Sequence, residues 1–339
     1  VDGGDAWAWI CEEALGGEDL YAVLATGPDE AVVATRAGLY RVGGDCSAAI
    51  VEGTEGIFFP ALARFGQGYL ALGIGEKTDG VWLCDTTCTE TSLMESGRFP
   101  KSAVTDGDTA WVTVVYEEGL AAELWKSEGG LDWSLVYTWP DGDTDPRLFE
   151  ADGDHLVLFR RTRADADIPE LLVSDDGGGT WDSTLSVGYF TDATPGWLKV
   201  GDRRFLGTVA GARTWRSDDG ADTWTEVSTE VPAVRCGDSV GGDAWACGDH
   251  LQDGFDLSRT EDGETWYPVA CLEEATVPAC ASDACASLEG AWDKAGAYGG
   301  GECDTVITPP ADEEQPCGCG GGGSALLLLL LLRQRERTT

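Results

Sequence analysis

Asp141, Asp143 and Asp145 alternate with Gly142 and Thr144 along one short stretch. Alternating carboxylates on a tight loop can present several hard oxygens to a calcium ion. Asp152, Asp154, Asp165 and Asp167 follow nearby, but no Glu stands at the twelfth position that an EF-hand loop requires. The stretch therefore reads either as a weak calcium site or as a solvated acidic turn. Calcium is the only cofactor the sequence brings into view.

Twelve Cys supply the second chemistry. Paired CxxC motifs with neighbouring His, the usual thiolate zinc pattern, are missing. Thiol catalysis would have only His155 and His250 for partners. Disulfides in an oxidising compartment fit better. Cys84 and Cys88 are close enough to clasp one turn, and Cys236 and Cys247 flank an expected hairpin. Cys11 and Cys46 form a further candidate pair. Cys271, Cys280, Cys285 and Cys303 would make two bridges of open connectivity in a small cap. The chain starts at Val1 with no apolar leader, the form expected after removal of a signal peptide.

The formal charge of −39 narrows the partners. Such a surface repels phosphate backbones, so nucleic acid is excluded as a ligand class. Cationic partners, divalent ions or a salty medium suit it.

The elements that would hold these groups recur along the chain. Ser174-Asp175-Asp176-Gly177-Gly178-Gly179-Thr180-Trp181 is matched by Ser217-Asp218-Asp219-Gly220-Ala221-Asp222-Thr223-Trp224. Thr260-Glu261-Asp262-Gly263-Glu264-Thr265-Trp266 is one residue shorter, and Ser127-Glu128-Gly129-Gly130-Leu131-Asp132-Trp133 is a weaker copy. Trp133, Trp181, Trp224 and Trp266 follow one another at 48, 43 and 42 residues. Two degenerate copies, Tyr40 to Ser47 and Trp82 to Thr89, extend the series upstream. Between them lie short apolar runs such as Ala110 to Val115, Glu123 to Lys126, Ser134 to Tyr137, His155 to Arg160 and Glu170 to Val173. Such runs, bounded by Gly and Asp, are strand signals. Several short strands per repeat of this length predict an all-β chain of propeller blades. Six blades are expected. Seven would result if the segment Val1 to Cys11, which resembles Gly241 to Cys247, completes another with residues after Cys271.

The repeated turn has a physical logic. Gly supplies positive φ without steric cost. An Asp such as Asp176 accepts hydrogen bonds from its own turn, the Ser or Thr hydroxyl does likewise, and the Trp folds back over the hairpin. These segments resemble the Asp-box, or bacterial neuraminidase, repeat of sialidases, sortilin-type receptors, photosystem assembly factors and many non-enzymatic propellers. The resemblance runs from Tyr40 to Trp266. It implies a structural role for Ser174, Asp176, Gly178, Thr180, Trp181, Ser217, Asp219, Gly220, Thr223, Trp224, Asp262, Gly263, Thr265 and Trp266. In those families the box usually lies away from the ligand face, so it speaks to fold and not to function.

A sialidase-type exo-glycosidase is the enzymatic alternative. It would need three Arg on inner strands for the substrate carboxylate, a Tyr–Glu nucleophile pair and an acid/base Asp. Its Arg-Ile-Pro element finds only Arg98-Phe99-Pro100 here, with the wrong middle residue. Arg36, Arg64, Arg147 and Arg203 have contexts like those of ordinary surface arginines. No catalytic residue is assigned. Binding through propeller loops fits better, with Phe58, Phe59, Tyr189, Phe190 and Trp197 as aromatics for such a face.

The C-terminal stretch carries an address. An acidic, Pro-containing spacer leads to Cys317-Gly318-Cys319, a Gly run, the seven leucines Leu326 to Leu332, and Arg333, Arg335 and Arg337. A spanning helix needs about 20 apolar residues. Ala325 to Leu332 would make about 12 Å of helix, a temporary stop and not a permanent span. The pattern closely resembles the myxobacterial C-terminal sorting signal. That resemblance implies removal by a sortase-like membrane protease and surface attachment, with Cys317 or Cys319 as the lipidated residue.

The organisation expected is a propeller over 1–275, a Cys-rich cap over 276–305, a spacer over 306–316 and a sorting signal over 317–339. The expected function is that of an exported, cell-surface binding or adhesion module. A structural surface protein with calcium-stabilised loops is a further alternative. The partners would be a surface or extracellular ligand, the processing protease and, transiently, the membrane.

Overall fold

The second strand of each repeat carries an apolar run, such as Ala31 to Ala34, Tyr69 to Leu72 and Leu156 to Phe159, as a strand must when both its faces are covered. Tyr69 and Ala71 enter one buried cluster, and their neighbours Leu70 and Leu72 enter another. A lone sheet with one solvated face would instead alternate.

A computed structural model shows what covers those faces. It describes residues 20–27, 30–43, 47–75, 79–94, 97–116, 121–139, 144–162, 169–186, 195–208, 213–228, 231–240, 242–248, 253 and 257–270. The fold is all-β, a six-blade β-propeller built from six four-stranded sheets. In each sheet four strands consecutive in sequence lie side by side.

Blade 1 comprises β1 (Leu20–Gly27), β2 (Glu30–Thr35), β3 (Leu39–Gly43) and β4 (Ala48–Ile50). Blade 2 comprises β5 (Phe58–Phe65), β6 (Gly68–Ile74), β7 (Asp79–Cys84) and β8 (Cys88–Met94). Blade 3 comprises β9 (Arg98–Asp106), β10 (Thr109–Tyr116), β11 (Ala122–Glu128) and β12 (Ser134–Trp139). Blade 4 comprises β13 (Thr144–Asp152), β14 (His155–Thr162), β15 (Pro169–Ser174) and β16 (Asp182–Ser186). Blade 5 comprises β17 (Gly196–Val200), β18 (Arg203–Gly207), β19 (Thr214–Ser217) and β20 (Thr225–Glu226). Blade 6 comprises β21 (Cys236–Val240), β22 (Asp243–Cys247), β23 (Leu257–Thr260) and β24 (Tyr267–Ala270). The segment Val1 to Cys11, expected to add a strand, lies outside the described residues, as do the cap, the spacer and the sorting signal.

The chain divides into two compact units, and the described residues place blades 1 to 4 in the first and blades 5 and 6 in the second. In the first unit the core lies between blades. Val32, Ala34 and Leu39 of blade 1 meet Phe59, Tyr69 and Trp82 of blade 2. Leu70, Leu72 and Val81 of blade 2 meet Ala110, Val112 and Val114 of blade 3. Trp111, Leu124 and Trp139 of blade 3 meet Leu148, Leu156 and Leu158 of blade 4. Full burial of each large side chain contributes roughly 1.5–3 kcal/mol. In the second unit Leu198 and Phe205 of blade 5 meet Ala244 and Ala246 of blade 6.

First strands of successive blades pack against one another, β1 on β5, β5 on β9 and β9 on β13 in the first unit, and β17 on β21 in the second. Side chains reach across these contacts to the preceding blade's backbone. An Arg64 guanidinium N–H donates to the Ala25 carbonyl, Thr105 Oγ1 to the Arg64 carbonyl at 2.6 Å, and Ser239 Oγ to the Lys199 carbonyl. Between β9 and β13 a buried relay does the same work. Leu148 N donates to Ser102 Oγ at 2.7 Å, Ser102 Oγ to Thr113 Oγ1 at 2.7 Å, and Thr113 Oγ1 to the Pro146 carbonyl at 3.0 Å. Pairing each buried hydroxyl avoids the desolvation cost of an orphan.

Candidate functional site

The repeated turns connect the third and fourth strands of their blades. In the β15–β16 turn, Ser174 Oγ accepts from Gly178 N at 2.8 Å and donates to Asp176 Oδ1 at 2.9 Å. The same carboxylate accepts from Thr180 N and Thr180 Oγ1, both at 2.8 Å, and Trp181 Nε1 closes the turn on the Gly178 carbonyl at 3.0 Å. The β19–β20 turn repeats this with Ser217, Asp219, Ala221, Thr223 and Trp224. Hydrogen bonds from Thr180 hold Asp176 down at about 2, and those from Thr223 do the same for Asp219. Gly220, one residue before Ala221, has φ +81°.

The two shorter copies keep the Ser or Thr bond and part of the rest. Gly263 N donates to Thr260 Oγ1 at 2.8 Å, and Asp262 Oδ1 takes both Glu264 N and Thr265 N at 2.8 Å, which lowers its pKa. Trp266 Nε1 is buried without a hydrogen-bond partner, and its ring packs edge-on to Phe205. In the β11–β12 turn, Gly130 N donates to Ser127 Oγ at 3.0 Å and Trp133 Nε1 to the Gly130 carbonyl at 3.2 Å. In blade 2, a Cys84–Cys88 disulfide spans the equivalent β7–β8 turn with the Cα atoms 4.1 Å apart. These turns also grip the preceding blade within their unit. Gly178 sits against Leu124, Gly130 against Phe65, and Gly263 against Phe205.

Cys236 and Cys247 are register partners on β21 and β22 and are bonded, with Cα atoms 5.0 Å apart. Cys11, Cys46, Cys271, Cys280, Cys285, Cys303, Cys317 and Cys319 lie outside the described residues, as do Asp141, Asp143, Tyr189, Phe190 and His250. Asp145 is described, and its Oδ2 lies 3.3 Å from Arg147 Nη2. Among the described residues no three His, Cys, Asp or Glu side chains are grouped to hold a metal ion. His155 Nδ1 pairs with Asp175 Oδ1 at 2.7 Å, linking the two turns at one end of blade 4.

The arginines considered for substrate binding serve separate partners. Arg36 Nε donates to Tyr21 OH at 2.7 Å. Arg64 reaches the Ala25 carbonyl, and Arg147 faces Asp145. Arg203 binds Asp218 at 3.1 Å, Glu264 at 2.6 Å and the Asp262 carbonyl, tying blade 5 to the blade 6 turn. The aromatics are also engaged. Phe59 is wholly buried between blades 1 and 2, Phe58 packs edge-on to Tyr21 at 4.4 Å, and Trp197 lies against Trp224.

One polar constellation stands at the other end of blade 3, away from its repeated turn. Arg98 opens β9, Tyr116 closes β10, and Glu123 and Trp125 stand two apart near the start of β11. Register places Arg98 opposite Tyr116, Glu123 opposite Val114 and Trp125 opposite Val112. All four therefore share the face turned to blade 2, where Val112 and Val114 are buried. Arg98 Nε donates to Tyr116 OH at 3.0 Å. The guanidinium carbon lies 5.5 Å from the Tyr116 ring centre and 5.1 Å from that of Trp125, within cation–π range. Trp125 Nε1 donates to Glu123 Oε2 at 2.8 Å, and the Tyr116 hydroxyl hydrogen-bonds to the same carboxylate. Glu123 is 8% exposed, whereas Arg98, Tyr116 and Trp125 are half-buried. Burial, and then the bond to Glu123, push the Tyr116 phenol up.

Blade 2 braces this group. Asp79, 6% exposed, accepts Gly75 N at 3.2 Å through one oxygen and Gly97 N at 3.1 Å through the other. Gly97 immediately precedes Arg98. Bulges lie on both sides of the site, one in β9 between Pro100 and Ser102 and one in β12 between Leu135 and Tyr137. A bulge bends a strand and re-aims its side chains. Sequence reasoning reached Arg98 only as part of a failed Arg-Ile-Pro match and missed its three companions. The available signal was Glu123 two residues before Trp125, a strand spacing that puts acid and ring on one face.

No family model matches the chain, and neither does any curated protein. Solved structures do resemble it at low identity. The extracellular domain of a one-component system from B. thetaiotaomicron shares 7% identity with a TM-score of 0.52, over 78% of this chain and 38% of that one. The SapL1 lectin in complex with alpha methyl fucoside shares 13% identity with a TM-score of 0.49, over 78% of this chain and 97% of that one. YCF48 bound to D1 peptide shares 12% identity with a TM-score of 0.46, over 74% of this chain and 80% of that one. At such identities likeness speaks to fold alone.

Proposed function

We propose that this chain is an exported, cell-surface binding module, and that its six-blade scaffold presents a ligand site on the edge of blade 3 formed by Arg98, Tyr116, Glu123 and Trp125. The observation that carries the reading is the hydrogen-bonded set itself. Buried Glu123 anchors Tyr116 and Trp125, and Tyr116 and the two rings fix Arg98, so half-exposed groups are held in place before a ligand arrives. Preorganised groups of this kind lower the ordering cost of binding. Tyr116 beside Glu123 is also the Tyr–Glu pairing that the sialidase alternative requires, so the sialoside assay below decides between binding and turnover. Propellers of known structure include sugar-binding and peptide-binding proteins. The fold is compatible with a binding role and does not choose the ligand.

On this reading the Ser-x-Asp-Gly turns are Asp boxes, and they stabilise the blades. The stretch from Cys317 to Arg337 is a sorting signal that delivers the propeller to the surface, with Cys317 or Cys319 as the attachment point. Mass spectrometry of the mature surface protein tests the address. Loss of Leu326 to Leu332 and a modified cysteine are expected, and an intact tail would sink it. For the binding role, the labelled full chain is added to intact cells and extracellular matrix, with a fluorogenic sialoside assayed in parallel. Saturable binding that Arg98→Gln weakens, without turnover, supports the module. Robust turnover, or binding unchanged by Arg98→Gln, overturns it.

A further inference from the structure

We infer that the blade 3 edge takes a neutral saccharide, recognised by Glu123 and Arg98 through sugar hydroxyls. This rests on the binding reading above and gives its ligand a chemical class.

Three properties of the site select that class. The first is charge. Arg98 and Glu123 belong to one hydrogen-bonded set through Tyr116, so the set carries one charge of each sign. A formal charge of −39 on the whole chain opposes an anionic ligand, and such repulsion acts on encounter as well as on affinity. The second is occupancy of the aromatic rings. The cation–π position over Tyr116 and Trp125 already holds the Arg98 guanidinium. A cationic ligand would have to displace it, leaving buried Glu123 to face a changed partner set. The third is the pairing of hydrogen-bonding types. A carboxylate accepts at several lone pairs, and a guanidinium donates through a planar fork. Adjacent hydroxyls of a sugar ring are each both donor and acceptor, so a vicinal pair can donate to one and accept from the other. A site built to hydrogen-bond hydroxyls discriminates strongly against ligands lacking them.

The neighbouring sheet makes the site rigid on the side where a ligand would press. Asp79 pins Gly97, the residue before Arg98, and also the Gly75 amide. Glu123 lies on β11, whose neighbour β10 is tied to blade 4 through Thr113 and Ser102.

The test uses the full chain on a glycan array carrying neutral, sialylated and sulfated glycans, with a random peptide array beside it. The strongest neutral ligand is then followed by calorimetry with wild type, Glu123→Gln and Arg98→Lys. Thermal melts establish that each variant is folded, and Arg98→Lys, at a half-exposed position, keeps the charge. Neutral glycans are expected to bind, and each variant is expected to weaken them tenfold or more. Binding of peptides or anionic glycans that the same variants weaken would overturn the saccharide class while leaving the site standing. Neutral-glycan binding unchanged in both folded variants would overturn the assignment of sugar recognition to these residues. No binding on either array would overturn the saccharide inference, while the cell-binding experiment with Arg98→Gln judges the site by itself.

Discussion

Gly178 lies so close to Leu124 that a β-carbon built on the glycine would stand 2.3 Å from the leucine Cδ2. The glycine belongs to the β15–β16 turn of blade 4 and the leucine to β11 of blade 3. A residue needed for local turn geometry is thus also an inter-blade contact. Its φ of +99° adds a second restriction. Gly178→Ala combines left-handed strain with overpacking, for a loss of roughly 2–4 kcal/mol. Denaturant unfolding with an unchanged slope is the check. Ala221 occupies the matching place in blade 5 with φ 79° and is buried. Ala221→Gly relieves strain and loses a buried methyl, so a change within about 1 kcal/mol is expected.

Acid should unfold the protein through its turns. Asp176 and Asp219 titrate at about 2 in the folded chain, against an ordinary value of 3.8. A depressed carboxylate contributes stability that is present above its unfolded pKa and is lost as pH falls toward the folded one. The melting temperature should therefore hold from neutrality to about pH 5 and decline between about pH 4 and pH 2. Asp176→Asn should lower it at pH 7 and flatten the acid limb. A limb of the same steepness in the variant would remove Asp176 from the explanation.

Reduction should cost more at the blade 6 bridge than at the blade 2 clasp. Chain-entropy arguments give about 2 kcal/mol for the short Cys84–Cys88 loop and about 3 kcal/mol for the longer Cys236–Cys247 loop. Melts of the paired Cys→Ser variants, one bridge at a time, measure the difference.

Thr113→Val preserves shape and deletes the hydroxyl between Ser102 and the Pro146 carbonyl. Two buried groups then lose a partner, and roughly 1–3 kcal/mol is expected to be lost. Ser102→Ala removes the bond to Leu148 N and should cost a similar amount without adding fully to Thr113→Val, because both sit in one relay.

Much of the architecture was legible because it is periodic. Trp133, Trp181, Trp224 and Trp266 recur at blade spacing, and runs such as Ala110 to Val115 became central strands. The two hairpin cysteine pairs were legible because short separation and turn residues put their Cα atoms within bonding reach. Links between blades were not legible. Nothing in Thr105, Ser239 or Arg64 announces that its side chain will reach another blade's backbone, since that depends on how neighbouring sheets stack. The blade 3 site was hidden for the same reason. Arg98, Tyr116 and Glu123 come together only when register sets three strands beside one another, and a bulge in β9 shifts that register. Trp266 shows a finer limit: two turns of equal length, both recognisable, differ in whether the Trp Nε1 finds a partner, Trp133 bonding to the Gly130 carbonyl and Trp266 to none.

The central claim is that blade 3 binds a ligand at the end opposite its repeated turn. Hydrogen exchange of the full chain, with and without the strongest neutral glycan, tests it most directly. Slower exchange is expected at the start of β9, the end of β10 and the start of β11, with the β11–β12 and β15–β16 turns unchanged. Slowing confined to those turns or to other blades, with no effect around Arg98, Tyr116 and Glu123, would contradict it.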